Sequence, residues 1–209
     1  MDPEFWHARW QQRQIGFHQA EVHPLLQQFW PRLNLSRDSD VLVPLCGKSK
    51  DLLWLHQQGH SVLGVELSEI ALREFIDEHQ LDAAPVQHDH YCGYDLPDMT
   101  LLCGDFFHLS ATDCADVRAV YDRAALVALP PAMRQRYVEH LFRILAQGTQ
   151  LLLISMESPE LGDSGPPFMV SEEEIREHFH SAQTIELLHT LATERKGVPM
   201  AEKVYVVRL

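Results

Sequence analysis

The chain has 209 residues, of which 45% are hydrophobic and 22% charged, ordinary values for a globular protein. A chain of this length folds by default as a single domain that buries roughly 70–75% of its unfolded surface. Its 17 basic and 30 acidic residues give a formal net charge of −13, which argues against a surface for DNA or RNA.

Two features predict a soluble protein of the cytoplasm. The N-terminus carries Asp2, Glu4 and Arg9 instead of the apolar run of a signal peptide, and no stretch approaches the roughly 20 apolar residues of a membrane helix.

No two cysteines have C-x-x-C spacing, so we expect reduced and mostly buried thiols. We expect a monomer without membrane or nucleic-acid partners. The cysteines are Cys46, Cys92, Cys103 and Cys114.

The first 35 residues are predicted to be helical and to form a lid. Asp2 is placed to cap a helix that has Pro3 at its first position. An aromatic face follows at helical spacing, and it either packs against the domain or covers a ligand. A second amphipathic segment begins at His23 and ends near Leu33. The residues on the aromatic face are Trp6, Trp10, Arg13 and Phe17.

From residue 40 to 209, strand and helix patterns alternate, which is typical of a Rossmann-like α/β core. We expect a mostly parallel seven-stranded sheet whose last two strands, separated by the loop Arg195–Pro199, form an antiparallel hairpin. The segment Asp82–Pro97 is either a loop or a short hairpin. The predicted strands are Val41–Leu45, Val62–Glu66, Met99–Cys103, Val117–Tyr121, Thr149–Ser155, Thr184–Thr193 and Lys203–Arg208. The predicted helices are Asp51–Gln58, a helix capped by Ser68 that ends near His79, one from Pro130-Pro131 to about Ala146, and Glu172–Phe179.

The first strand of this core ends in a tight turn of small residues, the beginning of a nucleotide-binding βα unit. Gly47 in this turn allows a ligand to approach the backbone closely. Glu66 lies nineteen positions after Gly47, at the end of the next strand, where an acid can accept hydrogen bonds from a ribose. Because the turn lacks G-x-G-x-x-G, the pattern favours a ribose-containing ligand other than a dinucleotide.

Four sequence stretches occur in a fixed order along the chain: Val43–Lys48, Gly59–Ser68, Tyr121–Pro130 and Gly165–Phe168. In these stretches, and in the N-terminal Trp6, Trp10 and Phe17-His18, the chain resembles the thiopurine S-methyltransferases over nearly its whole length. The resemblance implies S-adenosylmethionine (SAM) as methyl donor, S-adenosylhomocysteine as product, and an aromatic or heterocyclic thiol as acceptor. Two local departures from the family pattern are Lys50 and Ser164.

The resemblance also implies where the ligands bind. Cofactor contacts are expected at Trp10, Leu45, Glu66, Asp105, Phe106 and Arg123, with Gly47 added for its backbone. Acceptor contacts are expected at Phe17, Arg123 and Arg195. We expect no catalytic base, because heteroaromatic thiols ionise readily. We also expect no metal, because pairs such as His88/His90 and His178/His180 lack a third and fourth ligand at zinc spacing.

Two of these residues have competing interpretations, and Cys46, in the turn after the first strand, needs one of its own. Arg123 can hold the SAM carboxylate or lower the pKa of an acceptor thiol, and otherwise it forms a surface pair with Asp122. Phe106 stacks on the adenine of SAM or is a core residue beside Phe107, and one of these two rings should face inward. Cys46 is expected to be unreactive, since no base lies near it in sequence.

Three other functions compete with thiol methylation. The first is an NAD-dependent oxidoreductase, against which the missing glycine motif and the terminal strand pair count. The second is a noncatalytic SAM- or nucleotide-binding module. The third keeps the methyl transfer but replaces the acceptor by selenium or tellurium species, because a site without a base accepts several soft nucleophiles.

Overall fold

The computed structural model describes residues 3–87, 90–161, 165–195 and 197–209, and within them the chain forms a nine-stranded sheet. The Asp2 cap, the histidine at position 88 and the departure at Ser164 lie outside the described residues. The strands are β1 (Asp40–Pro44), β2 (Ser61–Glu66), β3 (Ala84–Gln87), β4 (Cys92–Leu96), β5 (Met99–Cys103), β6 (Val117–Arg123), β7 (Gln150–Glu157), β8 (Thr184–Arg195) and β9 (Val198–Arg208). The α-helices are α1 (Pro3–Gln11), α2 (Pro24–Phe29), α3 (Asp51–Gln57), α4 (Glu69–His79), α5 (Pro131–Ile144) and α6 (Glu172–His178).

The strand order across the sheet is β3-β4-β5-β2-β1-β6-β7-β9-β8. The five strands from β5 to β7 are parallel to one another, and the two strands at each end of the sheet add antiparallel pairs. This topology confirms the predicted Rossmann-like α/β fold with its terminal antiparallel hairpin. Because parallel strands end at the same edge, the segments after β1, β2, β5 and β6 meet there.

The sheet has two strands more than the seven predicted, because Asp82–Pro97 forms the hairpin β3–β4. Pro85 lies in the outermost strand of this hairpin, where a missing N–H costs no ladder bond on the open side. The predicted loop Arg195–Pro199 is wrong, since Arg195 pairs with Val198. Pro199 fits in β9 because the neighbouring β7 pairs with β9 only from Ala201 onward.

The central strands are buried on both faces, which explains their continuous apolar runs. In β1, Val41 and Val43 belong to the cluster that contains Trp30. Leu42, which points the other way, belongs to the cluster that contains Tyr137. Burial on both faces fixes the strand ends, so the turns that follow them have defined positions.

The helices are short, and α5 is 14 residues long. It begins at Pro131, as the Pro130-Pro131 pair predicts. The second N-terminal segment is divided into α2 and a 3-10 turn, Trp30–Leu33. None of the helices in the described parts of the chain combines the length and the apolar character that a membrane span requires.

Gly93 is where the pairing of the added hairpin can be tested. A Cβ built on Gly93 would lie 2.0 Å from the backbone oxygen of Leu101, so β4 would have to move away from β5. We expect Gly93→Ala to lower the free energy of unfolding in urea by about 1–3 kcal/mol. The control is Gly16→Ala, because a Cβ there meets nothing within 4 Å, and it should change stability by less than about 0.5 kcal/mol. Equal stability of the two variants would contradict the β4–β5 pairing.

Candidate active site

A cavity of about 1070 Å³ opens at the edge where the parallel strands end. This volume slightly exceeds the roughly 300–1,000 Å³ of typical small-molecule sites, so the cavity has room for more than one small ligand. Its walls come from the segments after β1, β2, β5 and β6, from the N-terminal segment, and from the ends of β8 and β9. All nine residues singled out from the sequence line it: Trp10, Phe17, Leu45, Gly47, Glu66, Asp105, Phe106, Arg123 and Arg195.

The turn after β1 has an unusual backbone. Leu45 and Gly47 have φ values of 50° and 55°, in the left-handed region that favours glycine. At Leu45 this conformation costs roughly 1–2 kcal/mol, and such costs are typical of ligand sites. A Cβ on Gly47 would lie 3.4 Å from the Trp10 ring, so α1 rests directly on this turn.

Glu66 is 7% exposed and lies behind the same turn. Its Oε2 accepts a hydrogen bond from the Gly47 N–H at 2.9 Å, and its Oε1 accepts one from the Ser68 N–H at 2.8 Å. Burial raises the pKa of Glu66, and the backbone N–H donors oppose that rise. Each carboxylate oxygen keeps a second lone pair, so Glu66 can still accept hydroxyl groups from a ligand.

Ser68 lies at the start of α4, in the N-cap position, as predicted, but it does not cap the helix with its side chain. The backbone N–H of Ser68 instead donates to Glu66. Glu66 therefore holds the β1 turn and the start of the β2–α4 connection together.

The segment after β5 supplies an acid and two aromatic rings. Asp105 Oδ1 accepts from the Phe107 N–H at 3.0 Å, which begins a short 3-10 turn over Phe106–His108. The Phe106 ring is buried against Tyr137, with centroids 5.2 Å apart. Phe107 is only half-buried, and the Arg136 guanidinium lies 4.1 Å from its ring centroid. Phe106 is thus the inward-facing ring of the pair, and both rings border the cavity.

Arg123 ends β6 and reaches the N-terminal segment. Its Nη1 donates to the Phe17 carbonyl at 3.2 Å, while its Nε is buried without a partner among the described residues. The alternative of a surface pair with Asp122 is wrong, because Asp122 is fully buried. Asp122 accepts hydrogen bonds from the Leu126 N–H and, at 2.8 Å, from the Tyr137 hydroxyl. Arg123 therefore has donor capacity left for a ligand in the cavity.

The N-terminal segment covers the cavity through aromatic and charged contacts. Trp10 is 3% exposed, and the Phe17 ring lies edge-on to Trp10 with centroids 5.7 Å apart. Arg13 pairs with Glu74 of α4 at 2.7 Å. The same carboxylate receives Lys48, from the β1 turn, at 2.8 Å. The covering segment, the turn and α4 are thus joined by one cluster of charges.

The cavity lining also contains acidic groups near Arg123 that sequence reasoning missed. Tyr121 donates its hydroxyl to Asp51 Oδ2 at 2.9 Å. His23 Nε2 lies 3.8 Å from Glu202 Oε2, and this neighbour lowers the pKa of the Glu202 carboxyl. Arg195, which also lines the cavity, donates to the Pro167 carbonyl at 3.3 Å. Tyr121 stood in a stretch that carried the family resemblance, but nothing in the sequence pointed to Glu202.

Histidines and cysteines do not gather at this site. Among the described residues, no three His, Cys, Asp or Glu side chains lie together in a way that would hold a metal ion. Burial, followed by the positive charge of Lys48, lowers the pKa of His18 at the cavity wall. Cys46 is buried, and burial raises the pKa of its thiol well above the usual value, as expected for an unreactive core cysteine.

The fold is that of SAM-dependent methyltransferases. The structure superposes with a TM-score of 0.69 on the Burkholderia thailandensis 1,6-didemethyltoxoflavin-N1-methyltransferase, which contains bound S-adenosylhomocysteine; the match covers 99% of this chain and 86% of that one at 15% identity. A SAM-dependent methyltransferase from Anabaena variabilis matches with a TM-score of 0.67, 14% identity and coverage of 99% and 95%. At these identities the likeness shows the fold.

The sequence places the chain in a particular family. The family model for thiopurine S-methyltransferase (TPMT) matches residues 1–208. A thiopurine S-methyltransferase from Pseudomonas fluorescens is 52% identical over 179 residues, which cover 86% of this chain and 81% of the relative. The chain belongs to the thiopurine S-methyltransferase family, and SAM is its methyl donor. This assignment replaces the oxidoreductase and noncatalytic alternatives.

The residues present fit SAM. The Gly47 turn leaves backbone exposed to the cavity, and Glu66 has free lone pairs for ribose hydroxyls. The unpaired Nε of Arg123 offers a donor to a carboxylate.

Asp122 gives the fold a pH dependence that can be measured. Burial raises its pKa from 3.8 to about 6, with the backbone N–H of Leu126 and the Tyr137 hydroxyl opposing the rise. The native carboxyl therefore holds its proton more tightly than the unfolded one. This contribution to stability is fully present below pH 3.8 and is lost as the pH rises through 6, with a total of about 3 kcal/mol.

We expect Asp122→Asn to remove this dependence. The stability of the variant relative to the wild type, measured by urea unfolding, should improve by up to about 3 kcal/mol between pH 4 and pH 7. A difference between the two proteins that stays constant over this pH range would contradict the buried position of Asp122.

Proposed function

We propose that this chain transfers a methyl group from SAM to the sulfur of aromatic or heterocyclic thiols, thiopurines among them, without a dedicated strong base. The observation that carries the proposal is the position of Arg123. Its partly unpaired guanidinium faces a cavity that Trp10 and Phe17 cover. A fixed positive charge beside an apolar, covered space suits an anionic sulfur nucleophile.

The donor end of the cavity is assigned to the turns after β1, β2 and β5. Glu66 accepts the ribose hydroxyls, and the backbone around Leu45 and Gly47 lies against the methionine part. Asp105 and Phe106 border the adenine, with the edge of the buried Phe106 ring supplying apolar contact. This division is supported by the free lone pairs of Glu66 and by the left-handed backbone at Leu45 and Gly47.

SAM supplies a methyl group that its sulfonium already activates, and a thiolate takes it by in-line displacement from a neutral leaving group. Arg123 and Arg195 favour the thiolate form of the acceptor, because a nearby positive charge lowers a thiol pKa. Both guanidinium groups are held by backbone carbonyls, Phe17 for Arg123 and Pro167 for Arg195, which keeps them oriented before the acceptor binds.

The N-terminal 35 residues act as a lid over the core of residues 40–209. Trp10 and Phe17 exclude water from the reacting groups, and their ring faces attract a sulfonium by about 0.5–2 kcal/mol. The contact between Arg123 and the Phe17 carbonyl supports this role, since it couples closure of the lid to the acceptor charge. Phe17, Arg123 and Arg195 therefore form the acceptor end.

The acceptor class is tested by transfer of a labelled methyl group from SAM to a panel of nucleophiles. The panel contains a thiopurine, a thiophenol, an aliphatic thiol, a selenol, selenite and tellurite. We expect the heteroaromatic thiols to react fastest at neutral pH, because they are ionised there. Faster transfer to selenite or tellurite than to any thiol would replace the proposed acceptor by selenium or tellurium species.

Glu66→Ala tests the ribose assignment. A hydrogen bond to a charged group contributes roughly 1.5–3 kcal/mol, so the affinity for S-adenosylhomocysteine should fall about 10- to 100-fold in a calorimetric titration. Glu69→Ala is the control, because this acid lies three residues further on, at the start of α4, and outside the cavity lining. An unchanged affinity in the Glu66 variant would refute the assignment.

Deleting residues 1–18 tests the lid. We expect the circular dichroism spectrum of the sheet and helices to persist while methyl transfer is lost, because Trp10 and Phe17 are removed and Arg123 loses the Phe17 carbonyl. Arg13→Ala is the control, because it removes only the ion pair of Arg13 with Glu74, which contributes less than about 1 kcal/mol, and leaves Trp10 and Phe17 in place. Full activity of the shortened protein would show that the segment is no lid.

A further inference from the structure

Two cysteines lie opposite each other on neighbouring strands. Cys92 of β4 and Cys103 of β5 are direct register partners in an antiparallel pair, so their side chains leave the same face of the sheet. Cα atoms of such partners are about 4.5 or 5.5 Å apart. Both spacings fall inside the roughly 4.4–6.8 Å that a disulfide requires, so the Cα spacing of the two residues permits an S–S bond.

The two thiols differ in their surroundings. Cys92 is exposed, whereas Cys103 is half-buried. Burial, followed by the neighbouring Cys92, raises the pKa of Cys103 to about 12. The exposed Cys92 is therefore the thiol that an oxidant reaches first, and Cys103, its register partner, is the thiol placed to condense with it.

Cys103 also touches the edge of the sheet that carries the active site. It is the register partner of Glu66 in the parallel pair β2–β5. Its thiol donates to the carbonyl of Leu67 at 3.7 Å, and Leu67 lines the cavity. The next residue, Gly104, donates its N–H to the Glu66 carbonyl at 2.9 Å. A change at the Cys103 sulfur thus acts on the backbone that holds Glu66.

We propose that Cys92 and Cys103 form a reversible disulfide in response to hydroperoxides, and that this disulfide weakens SAM binding. The Cys92 thiolate attacks the peroxide, which leaves a sulfenic acid on Cys92 and releases an alcohol or water. The Cys103 sulfur then attacks the Cys92 sulfur, loses its proton and displaces water. Two thiols are oxidised to one disulfide, and one peroxide bond is reduced.

The disulfide weakens cofactor binding because it removes a hydrogen-bond donor, the Cys103 S–H. Once Cys103 is bonded to Cys92 it has no S–H, so the Leu67 carbonyl loses its hydrogen bond and the β2–α4 connection is free to shift. A thiol is a weak donor, so its contribution lies near the lower end of the roughly 0.5–1.5 kcal/mol of a hydrogen bond, which corresponds to about 2- to 3-fold in affinity. This effect on affinity rests on the proposed position of the ribose at Glu66.

The test compares the full-length protein treated with hydrogen peroxide or with dithiothreitol. Peptide mapping under non-reducing conditions should identify a peptide pair cross-linked through Cys92 and Cys103, two mass units lighter than the reduced pair. Titration with S-adenosylhomocysteine should give a dissociation constant about 2- to 3-fold higher for the oxidised protein. Dithiothreitol added afterwards should restore the original value.

Cys92→Ser removes the exposed partner and should abolish both the cross-link and the change in affinity. Cys114→Ala is the control, because Cys114 is buried outside this pair and the variant should keep the full response. Absence of the Cys92–Cys103 cross-link would overturn the proposal, as would a cross-link without change in affinity. Peptide mapping detects the disulfide without any cofactor, and titration of the reduced protein tests cofactor binding without the disulfide. Failure of the disulfide is therefore distinguishable from failure of the proposed SAM site.

Discussion

The shape of the cavity depends on the two hydrogen bonds that the Glu66 carboxylate accepts. By accepting the N–H groups of Gly47 and Ser68, it fixes two turns that come from different βα units. The bonds are worth more inside the protein than in water, because Glu66 is almost fully buried. The carboxylate thereby keeps the left-handed turn at Leu45–Gly47 open towards the cavity. A residue predicted only to bind a ligand also maintains the backbone around that ligand.

A second contact joins the N-terminal segment to Arg123. The Arg123 guanidinium binds the Phe17 carbonyl, and Trp10 lies against Gly47. The covering segment therefore touches both the turn assigned to the donor and the arginine assigned to the acceptor. Its placement depends on the same residues that we assign to the two substrates, so the position of this segment and the shape of the cavity are coupled.

The features of the fold and site that depend on local sequence patterns could be predicted from the sequence. Apolar runs located the buried strands, and Gly47 and Glu66 followed from their places at strand ends. The sequence does not decide between a loop and a hairpin for Asp82–Pro97, because Pro85 breaks a strand except at a sheet edge. Edge position is a property of the whole sheet. The contacts of Tyr121 with Asp51 and of His23 with Glu202 join residues far apart in sequence. No local signal marks such pairs, so only the folded chain reveals them.

The most direct test of this site is a crystal structure of the protein with S-adenosylhomocysteine and a heteroaromatic thiol. We predict both ribose hydroxyls within hydrogen-bonding distance of Glu66, and the acceptor sulfur between the Arg123 guanidinium and the cofactor sulfur. A ribose bound away from Glu66, or an acceptor on the far side of the lid from Arg123, would contradict the division of the cavity into donor and acceptor ends.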